Sequence, residues 1–564
     1  MVDQLIRIRM DSLEVTKQVM PEQYTYLAGR ALSSQLILDE VAAHAEPLGP
    51  NNKLVITCGL LAGTTVSSAN RLSIGAKSPL TGGIKESNAG GIAAYKMGRL
   101  GIRALVVENV PSGADWYVLV IRQNSCELKV ANHLAGKGIV DKAALLYQEY
   151  GAKAGIIIIG PAGEKRLLTA GIANNDPNGA PCRFSGRGGL GAVMGSKRLL
   201  AIVLDDSGCP LPAMVQPDDF AAKMREFHQA ILANPQTAEV FPKYGTAAMT
   251  EITNAIGGLP TRNFADGRFS GADQINGEAL YQTIVSRGGE GKPSHACMPG
   301  CMIRCSNVYP DKDGKTLVSP LEYETICLLG SNLEVGDLDA IAEANRLCND
   351  YGVDTIEIGC AIGVAMEAGV APFGDPQALV NLLHEVVQDT WLGRILAAGC
   401  LVAGKTLGVI RVPAVKGQGM AAYEPRAIKG TAFTYATSPM GADHTAGNVA
   451  RANVKHHEKD GQVTLSRNAQ QGMAMIDALG MCMMVGPALK DRTLLAELIN
   501  ARFGWQLTLQ DLTAMASQTL AAEKEFNRRA GFTDVHDRLP EHFYYEVNPS
   551  TGSVYDIFPE DMKD

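Results

Sequence analysis

Residues 186–204 read GRGGLGAVMGSKRLLAIVL, a glycine-dense turn that runs into an apolar, strand-like stretch. The first six residues match the G-x-G-x-x-G pattern of dinucleotide-binding loops. That pattern binds a dinucleotide when a strand leads into it, and here the preceding NNDPNGAPCRFS predicts a polar loop. We therefore interpret the segment as an anion cradle, because Arg187 offers a bidentate fork and the glycines expose backbone N–H groups.

Short apolar runs rich in β-branched residues fill the chain before this segment, separated by glycine, proline, asparagine and serine. Such runs predict short strands joined by turns. They are LVITCGLL at 54–61, RLSIGAK at 71–77, ALVVENV at 104–110, WYVLVIRQ at 116–123 and GIIIIG at 155–160.

After about residue 210 the apolar residues recur at three- and four-residue spacing, which predicts helices. The clearest runs are 217–234, 337–350, 376–396, 491–502 and 509–529. We therefore predict an α+β fold with a β-rich domain over 1–210 and two mostly helical domains over 211–415 and 416–564. The boundary near 415 rests on the glycine- and proline-rich stretch RVPAVKGQGMAAYEPRAIKG.

The composition excludes several classes of protein. The chain of 564 residues has a formal net charge of −8 and no block of lysine and arginine, which counts against nucleic-acid binding. It has no apolar run of the roughly 18 residues that a membrane span needs. Its first residues, MVDQLIRIRMDSLEV, alternate like a strand and lack the apolar core of a signal peptide. The sequence predicts a cytoplasmic protein with no membrane span and no nucleic-acid partner.

Three of the twelve cysteines form a tight triplet, Cys297, Cys301 and Cys305, in the sequence CMPGCMIRC. In a cytosolic protein such a triplet is more typical of metal ligands than of disulfides. A cubane iron–sulfur cluster uses four thiolates, three of which commonly come from one tight loop. Structural zinc, with His295 as a fourth ligand, and a coincidental buried cluster are the alternatives.

Two further glycine-dense loops in the β-rich region carry polar side chains. The SNAGG segment contains Asn88, Gly90 and Gly91, and the SPLTGG segment follows Arg71. Each loop alone is typical of a tight turn. Together with the loop at Arg187, they predict a large, phosphate-containing cofactor.

Two stretches hold candidate acid–base groups. PLEYET carries Glu322 and Glu324 at alternate positions, so a strand would point one carboxylate inward and leave the other solvated. The alternative is a wholly solvated strand face. His444 lies in MGADHTAG, where small neighbours leave room for a ligand, although a lone histidine is more often a satisfied core group.

A six-residue pattern occurs twice, each time at the end of a helical run. Residues 349–354 read NDYGVD, and residues 477–482 read DALGMC. One interpretation is a glycine cap at each helix C-terminus. The other is a pair of matched loops, each offering an acceptor to one half of a pseudo-symmetric ligand.

These stretches together resemble the aldehyde ferredoxin oxidoreductase family, whose members are tungsten- or molybdenum-dependent enzymes with two pyranopterins (molybdopterin) and one [4Fe-4S] cluster. The matching stretches follow the family order from about residue 27 to residue 486. They are LGPNNKLVITCGLLAGT, RLSIGAKSPLTGGIKESNAGG, IGPAGEKRLLTAGIANND, GRGGLGAVMGSKRLLAIVL, CMPGCMIRCSN, LEYETICLLGSN, YEPRAIKGTAFTYATSPMGADH and DALGMC.

The resemblance implies that the β-rich domain is the base for both pterins and that the helical domains close over the metal. The resemblance also implies that the repeated six-residue pattern is a pair of pterin-binding motifs, in which Asp354 and Asp477 accept hydrogen bonds from pterin nitrogens. It further implies that Cys482 is the fourth cluster ligand. It implies contacts to the pterin phosphates, or to a Mg²⁺ that bridges them, from Arg71, Asn88, Gly90, Gly91, Arg187, Gly188 and Gly189.

The implied reaction is oxidation of an aldehyde to a carboxylic acid, with electrons passing through the cluster to ferredoxin or an iron–sulfur partner. Glu322 or Glu324 would be the general base, and His444 would hydrogen-bond the substrate oxygen. A reductase of activated acids or aromatic thioesters would use the same cofactors. A pterin-free iron–sulfur electron-transfer or scaffold subunit is the alternative from another class.

Three features depart from the family pattern. The triplet is C-x₃-C-x₃-C where the family has C-x₂-C-x₃-C, so its loop is one residue longer. Asn349 stands where the first pterin motif usually has aspartate. The sequence contains no E-x-x-H motif, which in some members forms a metal site between subunits. We expect that any homo-oligomer forms in another way.

Overall fold

The computed structural model describes residues 3–562. Two six-stranded sheets form the N-terminal part, and a three-stranded sheet and a two-stranded ribbon follow. The strands are β1 (Gln4–Arg9), β2 (Glu14–Val19), β3 (Leu54–Cys58), β4 (Leu72–Lys77), β5 (Ile84–Ala89), β6 (Ile102–Glu108), β7 (Tyr117–Arg122), β8 (Cys126–Val130), β9 (Gly155–Ile158), β10 (Ile172–Asn174), β11 (Arg183–Ser185), β12 (Leu199–Asp205), β13 (Lys292–His295), β14 (Ser306–Pro310), β15 (Thr316–Val318), β16 (Ala414–Val415) and β17 (Gln418–Gly419).

The two large sheets share one apolar core. The first has the strand order β2-β1-β6-β3-β4-β5, and the second has the order β11-β10-β9-β12-β7-β8. Their strands are mostly antiparallel, but β1 runs parallel to β6 and β12 runs parallel to β7. Ile56 and Leu105 of the first sheet are buried in the same cluster as Val120 and Ile202 of the second. The apolar runs in the sequence therefore form strands that are covered on both faces.

The predicted polar loop is confirmed over residues 175–182, but its last three residues form the short strand β11 directly before the GRGGLG segment. β11 pairs antiparallel with β10. Gly188 and Gly189 then adopt φ angles of 80° and 72°, which favour glycine. A Cβ on Gly188 would also lie 2.4 Å from Cγ of Lys85. The turn and the close packing both require glycine, and the chain continues into a helix at Leu190–Ser196.

Helices dominate the rest of the chain, as the periodicity predicts, and the α+β class is confirmed. The α-helices are α1 (Gly29–Glu40), α2 (Ala93–Arg99), α3 (Ile139–Tyr150), α4 (Pro161–Glu164), α5 (Leu190–Ser196), α6 (Pro217–Ala233), α7 (Phe241–Tyr244), α8 (Ala248–Ala255), α9 (Ala272–Ile275), α10 (Gly277–Arg287), α11 (Tyr323–Leu329), α12 (Leu338–Tyr351), α13 (Thr355–Glu367), α14 (Pro376–Val387), α15 (Trp391–Ala397), α16 (Cys400–Leu407), α17 (Lys429–Thr437), α18 (Gln462–Ala478), α19 (Thr493–Phe503), α20 (Leu509–Arg529) and α21 (His542–Tyr545).

One predicted helical run is in fact two helices. The run at 376–396 divides into α14 and α15, because Asp389 adopts a φ of 59° between them. The Thr390 hydroxyl then caps α15 by accepting from the backbone N–H of Gly393 at 3.1 Å. The other four runs correspond to α6, α12, α19 and α20.

The C-terminal helices return to the N-terminal sheets. α18 and α20 pack on each other and on α1, and α1 covers β3, β4 and β5. A buried ion pair of 2.8 Å between Arg30 in α1 and Glu523 in α20 joins the two ends of the chain. This return places the end of α18 beside the loops of the first sheet. The domain boundaries near 210 and 415 stay predictions, and no helix within residues 3–562 is long and apolar enough to span a membrane.

Candidate functional site

A cavity of about 600 Å³ lies where the loops of both sheets meet the helices. It collects residues that are far apart in the sequence. The predicted site residues in its lining are Arg71, Asn88, Gly90, Cys297, Cys305, Glu322, Glu324, Asn349, Asp354, His444, Asp477 and Cys482. The remaining predicted residues, Gly91, Arg187, Gly188, Gly189 and Cys301, lie outside this lining.

The four predicted cluster cysteines lie around Ser68, in the loop between β3 and β4, and around Gly90, directly after β5. The Cys482 N–H donates to the Ser68 carbonyl at 2.8 Å, and the Ser68 hydroxyl is 3.9 Å from Cys301 Sγ. A Cβ on Gly90 would lie 3.0 Å from Cys297 Sγ. All twelve cysteines are free thiols.

Electrostatics show that these thiols share one environment. A hydrogen bond to Cys301 and burial raise the pKa of Cys297 well above its ordinary value. The same hydrogen bond lowers the pKa of Cys301. Burial raises the pKa of Cys305 strongly, and nearby Cys297 and Cys482 add to the effect. The ionisation of each of these thiols therefore depends on its cysteine neighbours, which places them close together.

In the zinc alternative His295 would be the fourth ligand, and only its Nδ1 is left for a metal, because Nε2 is engaged. Its Nε2 is 2.6 Å from Oδ2 of the buried Asp176. Within residues 3–562, no group of three His, Cys, Asp or Glu side chains is arranged to hold a single metal ion. The thiolates of a cubane cluster are held apart by the cluster itself and need no such convergence.

Arg71, Asn88 and Asp477 form a chain of hydrogen bonds along one wall of the cavity. Arg71 donates through Nη2 to the Asn88 carbonyl at 3.1 Å, and Asn88 Nδ2 donates to Asp477 Oδ1 at 3.2 Å. Arg30 donates to the other Asp477 oxygen at 3.2 Å. Burial raises the pKa of Asp477 to about 6, although Arg30 and Arg71 oppose the shift.

Arg187 and Asp354 form a second pair, of which Asp354 lines the cavity and Arg187 does not. Arg187 Nε is 3.4 Å from Asp354 Oδ2, and Nη1 donates to the Ala442 carbonyl at 2.7 Å. Asp354 caps α13 by accepting from the N–H groups of Ile356 and Glu357, each at 3.1 Å. The guanidinium is thus held by protein acceptors, so a phosphate would have to compete with them or bind at its remaining edge.

The repeated six-residue pattern contains two glycine caps, as the simpler interpretation predicts. Gly352 ends α12 with φ 87° and ψ 44°, and Gly480 follows α18 with φ 67°. Asn349, Asp354, Asp477 and Cys482 nevertheless all line the cavity. The two interpretations are compatible, since the caps turn the chain so that its polar side chains meet the cavity.

Glu322 and Glu324 lie at the start of α11, so the strand interpretation is wrong. Glu322 precedes the helix and Glu324 lies in its first turn. Both line the cavity, because residues two apart on a helix turn need not alternate between core and solvent. Glu322 accepts from the Thr246 hydroxyl and has Arg183 Nη1 at 4.0 Å.

Glu324 and His444 face each other inside the cavity. Glu324 Oε1 is 3.4 Å from His444 Nε2, while Oε2 accepts from the Ala422 N–H at 2.8 Å. Among the residues that the structure describes, Glu324 Oε1 and His444 Nδ1 are buried and have no hydrogen-bond partner. Burial raises the pKa of Glu324, and His444 opposes part of that shift. Such a pair can hold and move a proton.

Sequence reasoning missed four residues in and around the cavity. Lys85 forms a buried ion pair with Asp443, the residue before His444. The ring of Tyr423 lies 5.9 Å from the His444 ring. Arg183 lines the cavity beside the cysteines. Asp443 is next to His444 in the sequence, and Arg183 is four residues before Arg187. Their closeness to residues of recognised motifs could have identified both as candidate site residues.

Two family models match the chain and together cover almost all of it. "Aldehyde ferredoxin oxidoreductase, N-terminal domain" matches residues 5–206, and "Aldehyde ferredoxin oxidoreductase, domains 2 & 3" matches residues 223–564. The chain belongs to the aldehyde ferredoxin oxidoreductase family. The resemblance found in the sequence is confirmed, and the chain is an oxidoreductase of this family.

Curated relatives support the same assignment to the aldehyde ferredoxin oxidoreductase family. The tungsten-containing aldehyde ferredoxin oxidoreductase of Thermococcus kodakarensis is 32% identical, with 96% of this chain and 91% of the relative covered. The enzyme of the same name from Pyrococcus furiosus is 30% identical over the same shares. The WOR-like subunit of an aliphatic sulfonate oxidoreductase from Pyrococcus furiosus is 25% identical, over 78% of this chain and 74% of the relative.

A solved structure shares the fold. A chain of the active-site complex of benzoyl coenzyme A reductase, determined with 1,5-dienoyl-CoA, has a TM-score of 0.82 and 19% identity. The match covers 99% of this chain and 92% of that chain. At this identity the likeness concerns the fold alone.

Proposed function

We propose that this family member oxidises an aldehyde with water to a carboxylic acid, two protons and two electrons, and passes the electrons to ferredoxin or an iron–sulfur partner. The observation that carries the proposal is the Glu324–His444 pair, at 3.4 Å, in the wall of the same cavity as the cysteines. Full-length relatives of 30–32% identity bear the name of this activity.

The residues present fit the cofactors of such an enzyme. Cys297, Cys301, Cys305 and Cys482 would hold a [4Fe-4S] cluster, since their thiols share one buried environment. When bound, tungsten or molybdenum on two pterins would accept two electrons, and the cluster would pass them on singly. The residues for the pterins and their Mg²⁺ would be Arg71, Asn88, Gly90, Gly91, Arg187, Gly188, Gly189, Asn349, Asp354 and Asp477.

Glu324 is the proposed general base. Its Oε2 is fixed by the Ala422 N–H, which leaves Oε1 to accept a proton from water or substrate. Burial raises the pKa of this carboxyl group, which strengthens it as a base and brings it closer to neutral pH. Glu322, which is bonded to Thr246 and lies near Arg183, is better placed to balance charge.

His444 is the proposed group that stabilises charge on the substrate oxygen. Its ring is held between Tyr423 and Glu324, and its buried Nδ1 has no partner in the described part of the chain. A donor that is already oriented costs no reorganisation when charge develops on the substrate.

The proposal is tested with an aldehyde panel and a viologen dye as electron acceptor. Glu324→Gln and His444→Asn should each lower turnover by about 10²–10⁴-fold while iron and tungsten or molybdenum contents stay unchanged. Glu343→Gln, at a half-exposed ion pair with Arg346, is the control and should behave like wild type. Losses of only a few-fold in both site variants would contradict the assignment.

Two alternatives make different predictions in the same experiments. A pterin-free scaffold would contain iron without tungsten, molybdenum or pterin and would oxidise no aldehyde. A reductase of activated acids or aromatic thioesters would contain all the cofactors but reduce such a substrate with dithionite-reduced viologen in preference to oxidising aldehydes. The relatives named for aldehyde oxidation are 30–32% identical to this chain, against 19% for the benzoyl coenzyme A reductase structure, which favours the first proposal.

A further inference from the structure

Arg183 is a buried cation that none of the proposed roles uses. It begins β11 and is 6% exposed, and it lines the cavity together with Cys297 and Cys305. Its Nη1 donates to the hydroxyl of Ser306 at 2.7 Å. Ser306 directly follows Cys305, so this bond ties the arginine to the C-terminal end of the cysteine loop.

The remaining donors of Arg183 are unfilled. Within residues 3–562, neither Nε nor Nη2 has a hydrogen-bond partner, although both atoms are buried. The Asp176 carboxylate is 3.9 Å from Nη2, beyond hydrogen-bond distance, and it is engaged by His295 at 2.6 Å. Buried N–H groups of a charged side chain are costly to leave without an acceptor. Their retention indicates that an acceptor occupies the cavity in the working protein.

The position of Arg183 indicates which acceptor this is. Ser306 connects Arg183 to the end of the cysteine loop. Asp176, 3.9 Å from Arg183, contacts His295, which is two residues before Cys297 at the start of that loop. Arg183 lines the same cavity as Cys182, Cys297 and Cys305. The unfilled N–H groups therefore share the cavity wall with sulfur atoms.

Arg71, the other arginine near the cysteines, differs in this respect. Its Nε and Nη2 both donate to Asn88, and its Nη1 is 4.0 Å from Cys482 Sγ. Arg71 is thus oriented by protein groups, whereas Nε and Nη2 of Arg183 have no acceptor among residues 3–562. The two cations approach the cysteine set from different strands, β11 and the start of β4.

We propose that Arg183 donates N–H groups to the sulfur atoms of the cluster held by Cys297 and Cys305 and thereby raises its reduction potential. The inference rests on the proposed cluster. One-electron reduction makes the cluster more negative, and a fixed neighbouring cation with directed N–H groups stabilises the reduced form more than the oxidised form. Arg183 is therefore a positioning and tuning residue and takes no part in the proton chemistry of Glu324.

The experiment compares Arg183→Lys and Arg183→Gln with the wild-type holoenzyme. Each protein is isolated anaerobically, its iron is counted, and the cluster is titrated with a redox mediator set while electron paramagnetic resonance records the reduced form. The reduction potential should fall in the order wild type, Arg183→Lys, Arg183→Gln. Lysine keeps the charge but loses the planar fork, and glutamine loses both.

Arg304→Gln is the matched control, because Arg304 is exposed and adjacent to Cys305. It removes the same charge close to the loop, but solvent screens that charge, so the potential should stay at the wild-type value. An equal drop in Arg304→Gln and Arg183→Gln would show that any nearby charge suffices and would overturn the proposal.

The remaining outcomes also decide the question. An unchanged potential in a cluster-bearing Arg183→Gln protein would refute the proposal. If Arg183→Gln assembles no cluster, the test rests on the reduction potential of Arg183→Lys. A wild-type potential in Arg183→Lys would refute the proposal. A wild-type protein without iron would contradict the proposed cluster itself, whereas four irons with unshifted potentials would contradict only the role of Arg183.

Discussion

The buried pair Lys85–Asp443 links the first sheet to the loop that carries His444, and its disruption should be measurable. The side chain of Lys85 is fully buried and that of Asp443 is 3% exposed. The other Asp443 oxygen accepts from the Thr445 N–H at 2.9 Å and from its hydroxyl at 2.7 Å. The pair therefore fixes the turn that carries His444.

The change to make is Asp443→Asn, which keeps the shape and removes the charge. Lys85 would then be a buried cation without its counter-ion, a loss of about 3–5 kcal/mol. At about 2.1 cal/mol/K of unfolding entropy per residue, the 564 residues give about 1.2 kcal/mol/K, so the apparent unfolding temperature should fall by about 3–4 °C. The double variant Lys85→Met with Asp443→Asn leaves no unpaired charge and should recover much of the loss.

The assay is the apparent unfolding temperature at a fixed scan rate, because large multidomain proteins rarely unfold reversibly. Glu458→Gln, at an exposed pair with Lys455, is the control and should change stability by less than about 1 kcal/mol. If the double variant is as unstable as Asp443→Asn, or if Asp443→Asn matches wild type, the reasoning about the pair is wrong.

The pH dependence of this effect has a definite sign. Burial alone would raise the pKa of Asp443, but the charges of Lys85 and Arg187 hold it well below its ordinary value. A carboxyl group whose pKa is lowered by folding stabilises the protein above its unfolded pKa of about 3.9, and this contribution is lost as the pH falls towards the folded value. The difference between wild type and Asp443→Asn should therefore be full at pH 6 and shrink below about pH 4.

Three further predictions concern the cluster, the pterins and the base. Cys482→Ala should abolish or convert the electron paramagnetic resonance signal of the reduced cluster, whereas Cys348→Ala should leave that signal intact. An unchanged signal in Cys482→Ala would exclude Cys482 as a ligand. Arg187→Ala should lower the pterin content of the purified protein, since a lost contact to a charged group costs about 2–3 kcal/mol. Full pterin occupancy in this variant would show that Arg187 does not bind the cofactor. Burial raises the pKa of Glu324. The value of kcat/KM should therefore rise with pH, with a midpoint above the ordinary glutamate pKa of about 4.3. A profile that stays flat down to about pH 4.3 would contradict the role of Glu324 as base.

Local sequence patterns predicted most of the fold, because strand and helix periods are local properties. The apolar runs became β3, β4, β6, β7 and β9, which are buried on both faces. The short strand β11 could not be predicted, since its pairing with β10 comes from tertiary contacts and not from its composition. The same limit applies to the break at Asp389, where a single residue of positive φ divides a continuous periodic run.

The candidate site was predicted as a set of residues but not as a geometry. Glu322 and Glu324 were expected to alternate on a strand, and the structure places both in the cavity wall at the start of α11. The partners Asp443 and Arg183 were missed, because their role depends on burial and on unfilled or paired charges. Those properties arise only when distant segments meet.

The central claim is that this chain carries a [4Fe-4S] cluster and a bis-pterin tungsten or molybdenum centre in one cavity. Elemental analysis of the protein isolated anaerobically from its source tests it most directly. The account predicts four irons and one tungsten or molybdenum per chain, together with two pterins. Iron without tungsten, molybdenum and pterin would contradict it in favour of a scaffold, and zinc without iron would contradict the cluster as well.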